Sequence, residues 1–99
     1  MGIRRIGGVI SSTGATESVS LDGRGNVLLA FNGAVASVDL EKSFDDGASW
    51  HVASKDSVPN PATYAVDING VIEEPEKGVL YRFNCTAYSS GSINYRISR

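Results

Sequence analysis

Cysteine, histidine and long apolar runs are scarce in this chain, and each scarcity excludes a class of protein. A single cysteine among 99 residues, Cys85, rules out an intramolecular disulfide framework and a cysteine-based zinc site. No run of about 18 apolar residues is present, so we expect no membrane-spanning segment and no membrane partner. Glycines and serines interrupt the apolar residues after Arg5, which argues against a secretory signal. We therefore expect a soluble protein that is made in a cytoplasm.

An excess of positive charge is also missing. The chain has 9 lysines and arginines against 11 aspartates and glutamates, for a formal net charge of -2. A protein that binds duplex nucleic acid normally shows a basic face, so we expect no nucleic-acid partner. The apolar fraction of 41% and the charged fraction of 20% are typical of a globular protein. At this length the chain can form one core, and apolar packing has to stabilise it.

Turn signals recur along the chain at intervals of about 8–12 residues, with no helical pattern between them. Short segments between these signals alternate apolar and polar residues, which is typical of half-buried strands. The clearest segments are residues 17–21, 26–31, 36–44, 49–53 and 64–68. This rhythm predicts an all-β fold: a small antiparallel β-sandwich of about seven strands, immunoglobulin-like or jelly-roll-like, over residues 17–99.

The last part of the chain is predicted to be a β-hairpin. Residues 79–88 and 92–98 form its strands and Ser89-Ser90-Gly91 its turn, as Asn32-Gly33 and Asn69-Gly70 form turns earlier in the chain. Strict alternation specifies the register, because a slip of one residue would turn every apolar side chain towards water. The apolar face is predicted to hold Val79, Tyr81, Phe83, Cys85, Ala87, Ile93, Tyr95 and Ile97.

Residues 1–16 are predicted to form an extended N-terminal arm outside the sandwich. Gly7-Gly8 and the polar run that follows deny this segment a stable helix. Its aliphatic side chains have no local means of burial, so we expect the arm to gain order by adding a strand to a neighbour or filling a groove. Deletion of residues 2–14 is then expected to leave a folded domain. The predicted partner-binding residues are Ile3, Arg4, Arg5, Ile6, Val9 and Ile10.

A conspicuous turn lies between the predicted strands 36–44 and 49–53. Its pattern, Ser43-x-Asp45-x-Gly47-x-Ser49-Trp50, resembles the Asp box, a hairpin signature of sialidase-type propellers. The resemblance implies that the aspartate and serine groups tie down the turn, that the tryptophan packs inward, and that the motif lies away from any catalytic site. One copy cannot build a propeller of about four or more blades, so it implies a stable turn without sialidase activity.

The side chains that could carry chemistry do not form a catalytic or metal-binding pattern. A triad of Ser43 or Ser49 with His51 lacks the oriented geometry, because these residues are close neighbours on one hairpin. Cys85 shares its face with no cationic residue and is expected to be an inert core thiol. A calcium cluster would have to combine carboxylates of a strand with those of a turn, namely Asp39, Glu41, Asp45 and Asp46. We therefore predict a non-enzymatic protein without metal or cofactor.

Three parts of the chain together resemble the small β-sandwich structural proteins of tailed-bacteriophage virions. They are the segment from Leu40 to Trp50, the C-terminal segments 81–85 and 90–98, and the apolar arm. Proteins of this kind cement or decorate capsids, or complete the head or the tail, and have no catalytic residues. The resemblance implies a capsid decoration protein, located in the virion, that binds the major capsid protein or other virion proteins. We further expect a homo-oligomer.

Two other functions stay open from the sequence. A head-tail or tail adaptor would use the same sandwich as a ring subunit, and it would be present in far fewer copies per particle than a decoration protein. A carbohydrate- or receptor-binding module would need exposed aromatic side chains in a concave patch. The candidates for such a patch are Tyr64, Tyr88 and Tyr95, although alternation places Tyr95 on the inward face.

Overall fold

The computed structural model describes residues 5–53, 63–74 and 76–98. These residues form eight strands in one antiparallel sheet, so the predicted all-β antiparallel class is confirmed. In the same described residues, no helix has the length and apolarity needed to cross a membrane. The strands are β1 (Arg5–Ile10), β2 (Gly14–Ala15), β3 (Val19–Ser20), β4 (Arg24–Ser43), β5 (His51–Val52), β6 (Thr63–Tyr64), β7 (Ile68–Glu73) and β8 (Leu80–Ser98).

Two long strands, β4 and β8, form the centre of the sheet. They contain 20 and 19 residues and pair from Asn26 opposite Ser98 to Ser43 opposite Leu80. The first half of this ribbon pairs residues 26–32 with 92–98 and is flanked by β1 and β7. The second half pairs residues 35–43 with 80–90 and is flanked by β2, β3, β5 and β6.

The turns predicted at Asn32-Gly33, Asn69-Gly70 and Ser89-Ser90-Gly91 are wrong, because β4, β7 and β8 run through them. Gly33 and Gly91 do adopt positive φ, 71° and 86°, as a turn would require. They do so inside bulges, where the β4–β8 register shifts. A bulge bends a strand without ending it, so glycines that could have closed hairpins bend the long ribbon instead.

The bend brings the two halves of the ribbon into one core. Phe83 of the second half contacts Tyr95 of the first half edge-to-face, with ring centroids 6.2 Å apart and an interplanar angle of 75°. Gly91 lies between these two residues on the same strand. Buried side chains from both halves form one cluster: Ile6, Ile10, Val19, Leu21, Val27, Leu29, Val38, Leu40, Ala53, Val79, Tyr81, Phe83, Cys85, Ile93, Tyr95 and Ile97.

The predicted apolar face of β8 is buried with one exception, Ala87, which is exposed. Three further side chains depart from the alternation seen in the sequence. Val66 is 69% exposed, because the predicted strand 64–68 is interrupted between β6 and β7. Phe44 is 52% exposed because it follows the last ladder pair, Ser43 with Leu80, and so belongs to the turn. Val52 is exposed on the short strand β5. Alternation therefore predicts burial along most of the long strands. It fails at Ala87 beside a register shift, in the turn after β4 and on the short strand β5.

The N-terminal segment belongs to the sheet, at least from Arg5 onward. Strand β1 pairs with β8, with Ile6 opposite Ile97 and Ile10 opposite Ile93, and both β1 isoleucines lie in the core. The expectation of an arm without local burial therefore fails for Ile6 and Ile10. Gly8 makes the close approach possible, because a Cβ there would lie 3.1 Å from the hydroxyl of the core residue Tyr95.

The other predicted arm residues fall into two groups, those that the structure describes and those that it does not. Arg5 and Val9 point away from the core and are exposed, Val9 by 60%. Ile3 and Arg4 lie outside the described residues. Strand β2 also pairs with β8, so residues 2–14 include parts of the sheet and their deletion would remove two core side chains.

Candidate functional site

The turn after β4 is held by hydrogen bonds between its own side chains and backbone. The buried Ser43 Oγ donates to Asp45 Oδ1 at 2.7 Å and accepts from the Gly47 amide at 2.9 Å. Asp45 also accepts from the amide and the Oγ of Ser49, at 2.9 and 2.5 Å. These hydrogen bonds, first of all the one from the Ser49 side chain, lower the pKa of Asp45 to about 2. The carboxylate thus ties the turn together in its ionised form.

Trp50 lies beside this turn and not in the core. The guanidinium carbon of Arg82 is 4.0 Å from the centre of the Trp50 ring, a cation–π contact. Arg82 is held there by Glu41, since its Nε donates to Glu41 Oε1 at 2.9 Å, and Asn84 Nδ2 donates to Glu41 Oε2 at 3.0 Å. The inward packing implied by the Asp-box resemblance is replaced by this stack, which covers one face of the indole.

A buried carboxylate that the sequence analysis did not single out lies between β7 and β8. Glu74 is 5% exposed and accepts a 2.7 Å hydrogen bond from the Tyr81 hydroxyl and a 3.1 Å hydrogen bond from the Glu76 amide. Burial alone would raise its pKa, but the two hydrogen bonds and the Lys42 ammonium at 3.4 Å lower it. Burial and the adjacent carboxylate raise the pKa of Tyr81.

One signal in the sequence could have revealed this network. Lys42 follows Val38 and Leu40 at two-residue intervals, so alternation turns its side chain inward, where an ammonium needs a carboxylate. Lys42 and Tyr81 also border a cleft of about 450 Å³ whose other walls include Leu40 and Tyr64. Because Lys42 and Tyr81 each bind Glu74, neither side chain presents an unpaired polar group to the cleft.

The exposed side of the first half of the ribbon, here called the outer face, is a second surface of interest. Register places Gly7, Arg96, Leu28 and Asn69 in one row across β1, β8, β4 and β7. Residues opposite one another in a sheet share a face, and all four are exposed. The neighbouring rows add Arg5, Asn26, Val71, Val9 and Asn94.

Arg96 stands between two open hollows of the outer face. One, of about 280 Å³, is lined by Asn26, Leu28 and Asn69, and the other, of about 340 Å³, by Arg5 and Gly7. Gly7 has no side chain to fill the second hollow. Neither arginine forms an ion pair with any residue that the structure describes. Alternation alone indicated that Arg96 is exposed, but only the register brings these rows together.

The other candidate residues are dispersed. Asp39 accepts a 2.7 Å hydrogen bond from Thr63 and Glu41 binds Arg82, so both are engaged away from the turn. In residues 5–53, 63–74 and 76–98, no three histidine, cysteine, aspartate or glutamate side chains are placed to hold a metal ion. His51 is exposed on β5, opposite Lys42. Cys85 is buried, and burial raises the pKa of its thiol.

The three tyrosines considered for ligand binding lie on different elements. Tyr95 is a core residue whose hydroxyl donates to Glu17 at 2.7 Å, and burial followed by this contact raises its pKa to about 12. Tyr88 is half-buried and its hydroxyl donates to the Gly91 carbonyl. Tyr64 is half-buried on β6. They form no common exposed platform.

Comparisons with known proteins identify no relative. No protein-family model matches the chain, and neither the search of curated proteins nor the search of solved structures finds a match.

Proposed function

We propose that this chain is a non-enzymatic structural protein of a bacteriophage virion, specifically a capsid decoration protein. The observation that carries the proposal is the position of β1. It pairs with β8 along one edge, and no described residue pairs with its other edge. Such an edge is a template for a strand of a neighbouring protein, and stable structural partners protect it.

Strand β1 is an ordered edge strand that the core anchors. Ile6 and Ile10 anchor its inner side in the core, while Arg5 and Val9 remain exposed on the other side. An edge that is already ordered loses little conformational freedom when a strand is added, which favours docking. The major capsid protein is the partner that the proposal names, and an incoming strand would contact Val9 as well as the β1 backbone.

A carbohydrate-binding function has less support. Sugar binding by stacking needs an open aromatic face, and Arg82 covers one face of Trp50 at 4.0 Å. Tyr95 is in the core and Tyr88 is bonded to the backbone.

Binding to capsids tests the proposal. The purified chain is mixed with expanded capsids of the phage that encodes it and pelleted through a cushion. Val9→Lys places a charge on the β1 edge, whereas Val66→Lys changes a valine that is 69% exposed outside the strands and serves as the matched control. We expect Val66→Lys to bind like the wild type and Val9→Lys to bind about tenfold more weakly or worse, since an edge lysine opposes strand addition.

Three results would contradict the proposal. Failure of the wild-type chain to pellet with the capsids would exclude decoration. Equal binding of the two lysine variants would exclude the β1 edge as the docking element. Specific binding to a glycan array, in the absence of capsid binding, would favour the carbohydrate-binding function instead.

A further inference from the structure

Two arginines of the outer face have no counter-charge among the residues that the structure describes. Arg5 and Arg96 are exposed and make no ion pair with any described residue, while Arg24 at the rim already binds Glu73 at 3.8 Å. The side chains around Arg96 are carboxamides and apolar groups, Asn26, Asn69 and Leu28. Guanidinium and carboxamide donors beside a small apolar surface suit a ligand that combines carboxylates with an apolar side chain.

The chain itself carries such a ligand in the turn after β4. Phe44 is 52% exposed, and the next two residues are Asp45 and Asp46, both exposed. Hydrogen bonds from Ser49 and Ser43 hold Asp45 in place, so the turn is already ordered before it binds anything. Asp46 makes no ion pair with any residue in the described part of the chain.

We propose that the outer face binds residues 44–46 of a second copy of this chain, with Arg5 and Arg96 facing the two carboxylates. Two arginines of the face oppose two aspartates of the turn. The Lys42 ammonium, 5.0 Å from the centre of the Phe44 ring, is already paired with Glu74. Four strands span three spacings of about 4.8 Å, about 14 Å in all, which is wide enough for a two-stranded turn. Within one copy, no described ion pair joins the arginines of the face to the aspartates of the turn, so both sets of charges are available to a second copy.

The contact joins two different surfaces, and this determines how copies can assemble. Such contacts either close, as a reciprocal dimer or a ring, or continue as a filament. A contact made by a three-residue turn buries much less than the roughly 800 Å² per partner of a standard stable interface, so we expect association at high concentration or in an array. A nucleic-acid ligand is disfavoured, because no aromatic side chain of this face is available for stacking and the net charge of the chain is -2.

Sedimentation velocity of the purified chain tests the proposal without any capsid. Between about 10 µM and about 1 mM, the sedimentation coefficient of the wild type is expected to rise with concentration and to fall again in high salt. Arg96→Glu and Asp46→Lys are each expected to weaken association by about tenfold or more, as for a lost interfacial ion pair. An equimolar mixture of the two variants is expected to associate again, because the new glutamate of one faces the new lysine of the other.

Matched controls make the charge swap specific. Lys77→Glu and Glu76→Arg alter exposed charges of the same signs outside the outer face and the turn, and both are expected to behave like the wild type. Arg96→Gln and Asp46→Asn, which remove charge without reversing it, are to be used if circular dichroism shows that a swap variant is unfolded. A wild type that stays monomeric up to about 1 mM would overturn the proposal, as would an oligomer that Arg96 and Asp46 variants leave intact. If the variants that stay monomeric still bind capsids, then capsid binding through β1 does not depend on self-association through the outer face.

Discussion

The Tyr81 hydroxyl donates a 2.7 Å hydrogen bond to the Glu74 carboxylate, and both groups are buried. This bond connects the central strand β8 to the end of β7. Lys42 completes the network from β4, at 3.4 Å from the same carboxylate oxygen. A buried carboxylate is tolerated only when hydrogen bonds and charge satisfy it, so each partner of Glu74 contributes to the stability of the fold.

Tyr81→Phe is expected to destabilise the protein by about 1–3 kcal/mol, because it leaves the buried carboxylate without its shortest hydrogen bond. Urea denaturation at neutral pH measures the loss. Tyr88→Phe is the control, since the hydroxyl of Tyr88 is accessible to water and bonds only a backbone carbonyl. Equal losses in the two variants would show that the Tyr81–Glu74 contact has no special role.

Acid unfolding is expected to depend on Asp45. Its folded-state pKa of about 2 lies below the ordinary value of 3.8, so its stabilising contribution is complete above pH 3.8 and is lost as the pH falls towards 2. Asp45→Asn is expected to be less stable at pH 6 and to lose less stability on acidification. Asp46→Asn, in the same turn, is the control. Identical pH profiles for the wild type and Asp45→Asn, in urea melts from pH 6 to pH 2, would refute the assignment.

Phe83→Ala is expected to cost about 3–5 kcal/mol of unfolding free energy, because the ring is fully buried and contacts Tyr95 across the core. Phe44→Ala removes an equal ring that is 52% exposed and is expected to cost less than about 1 kcal/mol. Chemical denaturation of the two variants makes the comparison. A loss below about 1 kcal/mol for Phe83→Ala would mean that the face assignment of β8 is incorrect.

Glycine at the bend has two possible reasons, positive φ and close packing. The variants Gly91→Ala and Gly33→Ala distinguish them. Both residues have positive φ, but a Cβ at Gly91 would lie 2.5 Å from the Ala34 Cα, whereas a Cβ at Gly33 would meet nothing within 4 Å. Gly33→Ala is expected to cost about 1–2 kcal/mol from backbone strain alone, and Gly91→Ala to cost clearly more. Similar thermal stabilities of the two variants would contradict the close packing of the ribbon at Ala34.

The sequence predicted what local alternation determines. The burial of Phe83, Tyr95 and Ile97 follows from a period of two, which the long strand β8 preserves. Continuity through Gly91 could not be predicted, because a positive-φ glycine after two serines suits a hairpin turn and a bulge equally well. The partner strand β4 decides between them, and it lies far away in the sequence.

Two other features depend on contacts between distant parts of the chain. Ile6 lacks any local partner, and its burial depends on pairing with Ile97 at the opposite end of the sequence. The outer face likewise needs the register of four strands, which no single segment contains. The Ser43–Asp45–Gly47 turn could be recognised from sequence because all of its hydrogen bonds are local.

Both proposals require β1 to be a folded edge strand, and nuclear magnetic resonance tests this directly. Cross-strand nuclear Overhauser effects between Ile6 and Ile97 and between Ile10 and Ile93, together with slow amide exchange in β1, are the predicted result. A flexible segment over residues 5–10, without these contacts and with fast exchange, would contradict the account.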